Sequence, residues 1–366
     1  MTEQKKINSF LAFLKLIRFE NLLIIAATQY LFRYFVFNGL FSVPDKAMAE
    51  FFNLRSSVPS FTFANQLSHF NFFLLVLSTT MIAAAGYIIN DYFDVKTDRI
   101  NRPDKIVIDR GVKRRVAMAA HTVINILGIF IGIYVGWRCG NYQLGMVHIL
   151  TAGLLWFYST NFKKMFFVGN LLVAFLAGLV PIVIAIFETH LLNYNSRNAY
   201  VLDPVYKEFI NSLEAINFNV PIYFAAGLGL FAFLLNLMRE LVKDMEDFVG
   251  DMETGGETVP IKLGYKQAKN IVHGINFLTI SVLLYVLYKL WIATDDFVWY
   301  KLHPNKEDLL SVIYLFVLVI LPLIVFSFML RKSDAPKKFR QTGMFLKFVM
   351  LAGILYAAII WFNFSK

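Results

Sequence analysis

Apolar residues run in long blocks along this chain, and polar residues collect in the gaps between them. Blocks of roughly 17–25 mostly apolar residues are long enough to cross a bilayer as helices. They lie near 19–40, 70–90, 116–137, 144–160, 165–187, 220–242, 268–291, 309–330 and 343–363, the fourth being the shortest. The pattern predicts an all-α polytopic membrane protein of about nine transmembrane helices in a single domain, 1–366. Segments 41–69 and 188–219 carry ordinary polar residues, Asn and Pro, and are expected as long loops. Residues 1–15 read as an amphipathic, peripheral segment, and no small-residue cleavage site follows a compact apolar core, so no cleaved signal peptide is expected. No internal repeat or low-complexity tract is visible.

Composition agrees with this reading. Of 366 residues, 58% are hydrophobic, 16% charged and 38 are Phe, with mean hydropathy +0.58. A soluble domain carries about a quarter charged residues. The formal charge of +10 does not point to nucleic acid, because Lys and Arg concentrate in short segments between apolar blocks. With nine spans, the N-terminal segment and alternate loops hold 24 of the 35 Lys and Arg, against 8 on the other side. That bias predicts a cytoplasmic N-terminus in a cell inner membrane, with the C-terminus outside. A single cysteine, Cys139, excludes a disulfide framework or a cysteine metal site, and the six histidines lack metal-ligand spacing. Arg33, inside the first span, is expected to snorkel toward the outer interface.

The candidate chemistry lies in two acidic segments. Asn90, Asp94 and Asp98 are spaced by four, which puts them on one stripe of a helix, with Asp91 beside them. Like charges at that spacing repel, and carboxylates near a bilayer are costly, so the stripe calls for a cation. The second segment carries Asp244, Asp247 and Asp251 at i, i+3 and i+7, again on one helical face, before Gly250, Gly255 and Gly256 break the helix into a loop. Both segments emerge on the same side, four spans apart. Carboxylate and amide oxygens suit Mg²⁺, which takes one or two carboxylates plus substrate phosphates. The residues alone therefore imply a divalent-cation site for a phosphorylated ligand at the membrane interface.

The run from Asn90 through Arg99-Ile100-Asn101-Arg102-Pro103, paired with Asp247-x₃-Asp251-x₃-Gly255, resembles the two signatures of the UbiA-type prenyltransferase superfamily. The fuller run Arg239-Glu240-x₂-Lys243-Asp244-x-Glu246-Asp247, with Gly169-Asn170 and Arg18-x₂-Asn21, is most similar to the digeranylgeranylglyceryl-phosphate synthase branch. The resemblance implies a helical bundle around a central cavity. It further implies Mg²⁺ held by Asn90, Asp91, Asp94, Asp98, Asp244, Asp247 and Asp251, with Asp94, Asp98, Asp247 and Asp251 carrying catalysis. Arg102, Lys163 and Lys164 would neutralise diphosphate oxygens, and Asn90, Asn21, Asn170 and Tyr87 would line the substrate site. Buried polar side chains such as Tyr87 and Asn170 are also common helix–helix hydrogen bonders.

The implied reaction moves a geranylgeranyl group from its diphosphate donor to geranylgeranylglyceryl phosphate or a similar membrane lipid. An aromatic acceptor such as 4-hydroxybenzoate is the alternative. After Pro103 the chain reads Asp104-Lys105-Ile106 where the family often continues into Pro-Ser-Gly, and segment 188–219 is long; both bear on the acceptor. A CDP-alcohol phosphotransferase would put its acids in one motif with an Asp-Gly pair and Ala-Arg, which Asp91 lacks. A transporter would show repeats with broken helices near the midplane.

Overall fold

The computed structural model describes residues 8–54, 62–212, 218–292 and 309–365. All nine predicted blocks are helical. A short helix α1 (Ser9–Leu16) leads into a long run made of α2 (Phe19–Leu31), a π-helical turn (Phe32–Phe37) and α3 (Asn38–Asn53). Next come α4 (His69–Asn101), α5 (Arg114–Arg138), α6 (Met146–Thr160), α7 (Val168–Leu202) and α8 (Pro204–Ser212). Then follow α9 (Val220–Glu246), α10 (Phe248–Glu253), α11 (Val259–Ile292), α12 (Leu309–Leu315), α13 (Leu321–Lys332) and α14 (Pro336–Ser365).

Seven of these elements are long and apolar enough to cross a membrane by length and composition: α4, α5, α7, α9, α11, the α12–α13 run and α14. The first and fourth predicted spans do not reach that measure. The first is interrupted by its π turn, and α6 has 15 residues.

Local chemistry fixes the element ends that matter most. The Ser68 hydroxyl accepts from the Asn71 amide at 3.1 Å and caps α4. The helix then runs 33 residues and stops at Arg102, whose extended φ of −149° is set by the following Pro103. Pro221 opens α9, where a missing amide hydrogen costs nothing. α7 and α9 cross closely at Gly178 and Gly229. A methyl group on either would come within 2.8 Å of the other's carbonyl oxygen, so the pair sets the approach of the two helices.

Two expectations need correcting. Segments 41–69 and 188–219 are largely helical: α3 runs to Asn53, α7 to Leu202, and α8 follows, while 55–61 and 213–217, like the peripheral residues 1–7, lie outside the described residues. The scan for membrane-length apolar blocks reads such stretches as loops, yet they need only one apolar face. Leu192, Tyr206 and Phe209 supply that face and pack into a core with Phe37, Phe52 and Phe63, while the Ser196 and Tyr206 hydroxyls pair at 2.9 Å.

Arg33 does not snorkel. It sits in the π turn, fully buried, and its Nε lies 2.7 Å from the equally buried Glu188 Oε1 of α7. The backbone of Leu67 closes the group, its amide donating to Glu188 at 3.0 Å and its carbonyl accepting from Arg33. A carboxylate partner inside the bundle removes the reason to reach for water.

Candidate functional site

Helix α4 holds the first acidic segment as one uninterrupted stripe, because the helix extends well past the apolar block to Asn101. Asn90 Nδ2 donates to Asp94 Oδ2 at 2.7 Å, and the same oxygen receives the Lys163 ammonium from the short turn Phe162–Lys164 between α6 and α7. Burial alone would pull that ammonium down. Asp94, Tyr158 and Asp251 outweigh it and hold Lys163 well above the ordinary lysine value. Asp91 turns the other way, to Arg18 at 2.8 Å, and the Arg18 guanidinium stacks over the Tyr87 ring at 4.9 Å.

The second segment is not a single helical face. α9 ends at Glu246, Asp247 caps the junction, and α10 restarts at Phe248, so Asp244 and Asp251 belong to different helices. Asp244 accepts from Asn170 at 2.8 Å, an α7–α9 helix–helix bond of the kind expected for that asparagine. Gly250 does not break the helix as expected; it lies inside α10. A methyl there would come within about 2.6 Å of the Asn101 side chain, so the position needs glycine for close approach.

The two segments are joined to each other. The Asn101 amide donates to the Asp247 carbonyl at 2.9 Å and its oxygen accepts from the Gly250 amide at 2.9 Å. Arg102 pairs with Asp247 at 2.8 Å and Glu246 at 3.0 Å, and the Thr97 and Thr254 hydroxyls meet at 3.1 Å. Lys164 donates to the Thr254 carbonyl at 3.0 Å. Asn101 lies inside the first signature, but its partners come from a segment some 150 positions away and only the fold reveals them. Lys163 on Asp94 and Arg102 on Asp247 come together at this end, while Asp91 turns to Arg18 and Asp244 to Asn170.

Asp98 and Asp251 have no ion pair within 4 Å among the described residues. Burial pushes the Asp251 carboxyl up to about 6 against the pull of Lys163, and burial raises Asp247 as well. Among the described residues no three Asp, Glu, His or Cys side chains converge closely enough to hold an ion alone. Mg²⁺ does not require that, since it binds through one or two carboxylates and completes its shell with phosphate and water. Desolvated carboxylates lacking a cation, on two facing segments, are a donor set that fits it.

Behind the acids lies a cavity of about 320 Å³ enclosed by α2, α4, α6, α7, α9 and α14. Its walls are mostly apolar, including Phe32, Leu176, Phe231 and Ile354, while its polar end presents Asn21, Tyr87 and Asn90. A chain molecule could lie in it with a charged head at the acids.

A helical membrane bundle whose paired acidic segments close one end of an apolar cavity defines the class. The model of the UbiA prenyltransferase family matches residues 57–349, and the chain belongs to that family. A digeranylgeranylglyceryl phosphate synthase of Pyrococcus horikoshii is 31% identical over 207 residues, 57% of this chain and 62% of that protein, so the alignment spans under two thirds of that relative. The protein of the same name from Methanosphaera stadtmanae is 27% identical over 286 residues, 75% of this chain and 85% of its own. A solved structure described as digeranylgeranylglyceryl phosphate synthase in membranes superposes with a TM-score of 0.54 at 19% identity, covering 96% of this chain and 99% of that one. At that identity the likeness is one of fold.

Proposed function

We propose that the chain transfers an isoprenyl group, geranylgeranyl in the first instance, from its diphosphate to a membrane lipid acceptor, geranylgeranylglyceryl phosphate or a close analogue. The observation carrying this reading is the union of the two acidic segments at the polar end of a mostly apolar cavity. The relatives named digeranylgeranylglyceryl phosphate synthase support the choice of donor and acceptor.

In this reading Asp94, Asp98, Asp247 and Asp251, with Asn90, would hold Mg²⁺, which would supply neutralisation of the charge developing on the leaving diphosphate. Lys163 and Arg102 bring further positive charge to the same end, and Lys164 fixes the turn that presents Lys163. Asn101 holds the two segments in register. The allylic C–O bond to diphosphate breaks, the acceptor oxygen bonds to that carbon, and the acceptor's proton leaves. The apolar cavity excludes water from the cationic carbon. Tyr87 and Asn21 line the polar end, while Asp91 and Asp244 are held by Arg18 and Asn170 and position their neighbours. The bias of Lys and Arg supports a cytoplasmic acidic end and N-terminus with the C-terminus outside, in the cell's inner membrane, and we read the chain as one domain.

Membranes carrying the wild-type chain should transfer radiolabelled geranylgeranyl groups in a Mg²⁺-dependent way. Asp94→Ala and Asp251→Ala should each lower transfer by about a hundredfold or more. Full transfer by both variants, or faster transfer to 4-hydroxybenzoate than to geranylgeranylglyceryl phosphate, would overturn this assignment.

A further inference from the structure

The proposed reaction uses the acids at the cavity's end, but it does not say what decides how long a prenyl chain the cavity admits. Two places in the cavity wall pair a glycine with a large side chain from another helix. Near the acids, Gly86 on α4 faces Leu155 on α6, and a methyl group on Gly86 would come within 2.8 Å of the Leu155 Cδ1. Farther in, the buried Gly353 on α14 faces Phe231 on α9, and a methyl group there would overlap the edge of the ring. All four residues line the cavity.

The two pairs stand at different depths. Gly86 lies about 12 Å along α4 from Asp94, and Phe231 about 24 Å along α9 from Asp247. The lining continues past Phe231 to Leu228 on α9, Ala357 on α14 and Phe32 in the π turn, which is buried in the core behind it. The Phe231 ring therefore stands between an outer part of the cavity, next to the acids, and an inner part. It keeps that place because its edge occupies the volume that a Cβ on residue 353 would fill. Glycine inside a helix is destabilising relative to alanine, so its use in α14 calls for a packing reason of this kind.

We infer that the Gly353–Phe231 pair selects the length of the donor's prenyl chain, by leaving the inner part of the cavity open to the isoprene units farthest from the diphosphate. The inference rests on the prenyl-transfer reading for the donor, and it adds the residues that select its length. With the diphosphate at the acids, the first units of any donor pass Gly86 and Leu155. Only the last units of a long donor reach Phe231. Space lost at the first pair therefore affects every donor, and space lost at the second affects long donors alone. The ring has α9 behind it and Gly353 beside it, so a methyl on Gly353 drives it toward its open side, the cavity. A misfit of one methylene in an apolar pocket changes recognition by about 10–200-fold.

The test measures binding of geranylgeranyl and geranyl diphosphates, with Mg²⁺ and without acceptor, to the purified full chain in lipid nanodiscs. Wild type should bind the longer donor at least about tenfold more tightly. Gly353→Ala should cut that ratio by about tenfold to a hundredfold through the longer donor, with geranyl diphosphate held within about threefold. Phe231→Ala added to Gly353→Ala should restore the ratio, which a second truncation would not do for a general packing defect. Phe231→Trp, which narrows the same point with no substitution in α14, should repeat the effect of Gly353→Ala. Gly86→Ala should weaken both donors alike. The inference fails if Gly353→Ala and Phe231→Trp weaken the two donors equally or leave the ratio intact. It fails also if, in turnover, the acceptor KM moves in place of the donor ratio. A wild-type chain that shows the expected binding ratio but transfers neither prenyl group overturns the reaction and supports the length selector.

Discussion

At one end of α4, Glu188 meets Arg33 with both side chains fully buried and the Leu67 backbone closing the group. Roughly 35 Å along the same helix, Asp94, Asp98, Asp247 and Asp251 gather around Lys163 and Arg102, and among the described residues two of those four acids have no cation within 4 Å. Charge at the first end is balanced one to one and sealed. Charge at the second end is acid-rich and partly open, its two segments tied together by Asn101 and by Arg102 on Asp247 and Glu246. The first arrangement needs nothing from outside to be complete. The second is stable in proportion to the cation and anion that enter it, which is what a binding site requires and a structural pin does not.

The sharpest way to break the contrast is to unbalance the sealed end. Glu188→Ala leaves a buried guanidinium without its carboxylate, and removing one partner of such a pair costs about 3–5 kcal/mol. Thermal unfolding of the variant should fall accordingly, while Mg²⁺ binding by the folded fraction stays at the wild-type level. Replacing both partners, Arg33→Met with Glu188→Met, should recover most of the loss because no charge is left stranded. A double variant no better than the single would show that the pair is not what holds this end.

A smaller effect is expected at the clamp between the acidic segments. Asn101→Ala strands the Gly250 amide and the Asp247 carbonyl, at a cost of about 1–3 kcal/mol. Gly250→Ala should cost a similar amount by crowding the Asn101 side chain. The two together should be less damaging than their sum, since the smaller residue at 101 makes room for the added methyl. Unlike Glu188→Ala, both should weaken Mg²⁺ affinity along with stability. Strict additivity, or unaltered Mg²⁺ affinity, would detach the clamp from the site.

The difference between the two ends also explains what the sequence could reveal. Asn90, Asp94 and Asp98 were legible because helical spacing alone places them together, and an apolar block bounded them. Asp244 and Asp251 were legible as acids, but the helix break at Asp247 was not, because the chain from Asn236 to Gly250 contains no proline and its glycine stays helical. Glu188 looked like part of a polar loop, since its partner Arg33 is over 150 residues earlier and the pairing depends on a π turn that no periodicity signals. Asn101 was hidden for the same reason. Contacts within one helix follow from spacing, whereas contacts between helices follow from packing.

The smallest effect, and the most diagnostic of the acidic end, is its response to pH. Burial raises the Asp251 carboxyl to about 6 from its ordinary value of 3.8, so the metal-free fold favours the neutral acid. Its contribution to stability is therefore complete below about pH 4 and is lost as pH rises through about 6. Metal-free protein should melt at progressively lower temperature across that window. Mg²⁺ inverts the sign, because the ion needs the ionised form. Apparent Mg²⁺ affinity should then fall by up to about tenfold, or about 1.4 kcal/mol, for each pH unit below 6. Asp251→Asn should flatten both slopes, and calorimetric Mg²⁺ titrations at pH 5, 6 and 7 would measure them. An affinity that is level across this range, or a metal-free melting temperature that rises with pH, would mean that Asp251 is already satisfied as an ion and that the acidic end is as self-contained as the sealed one.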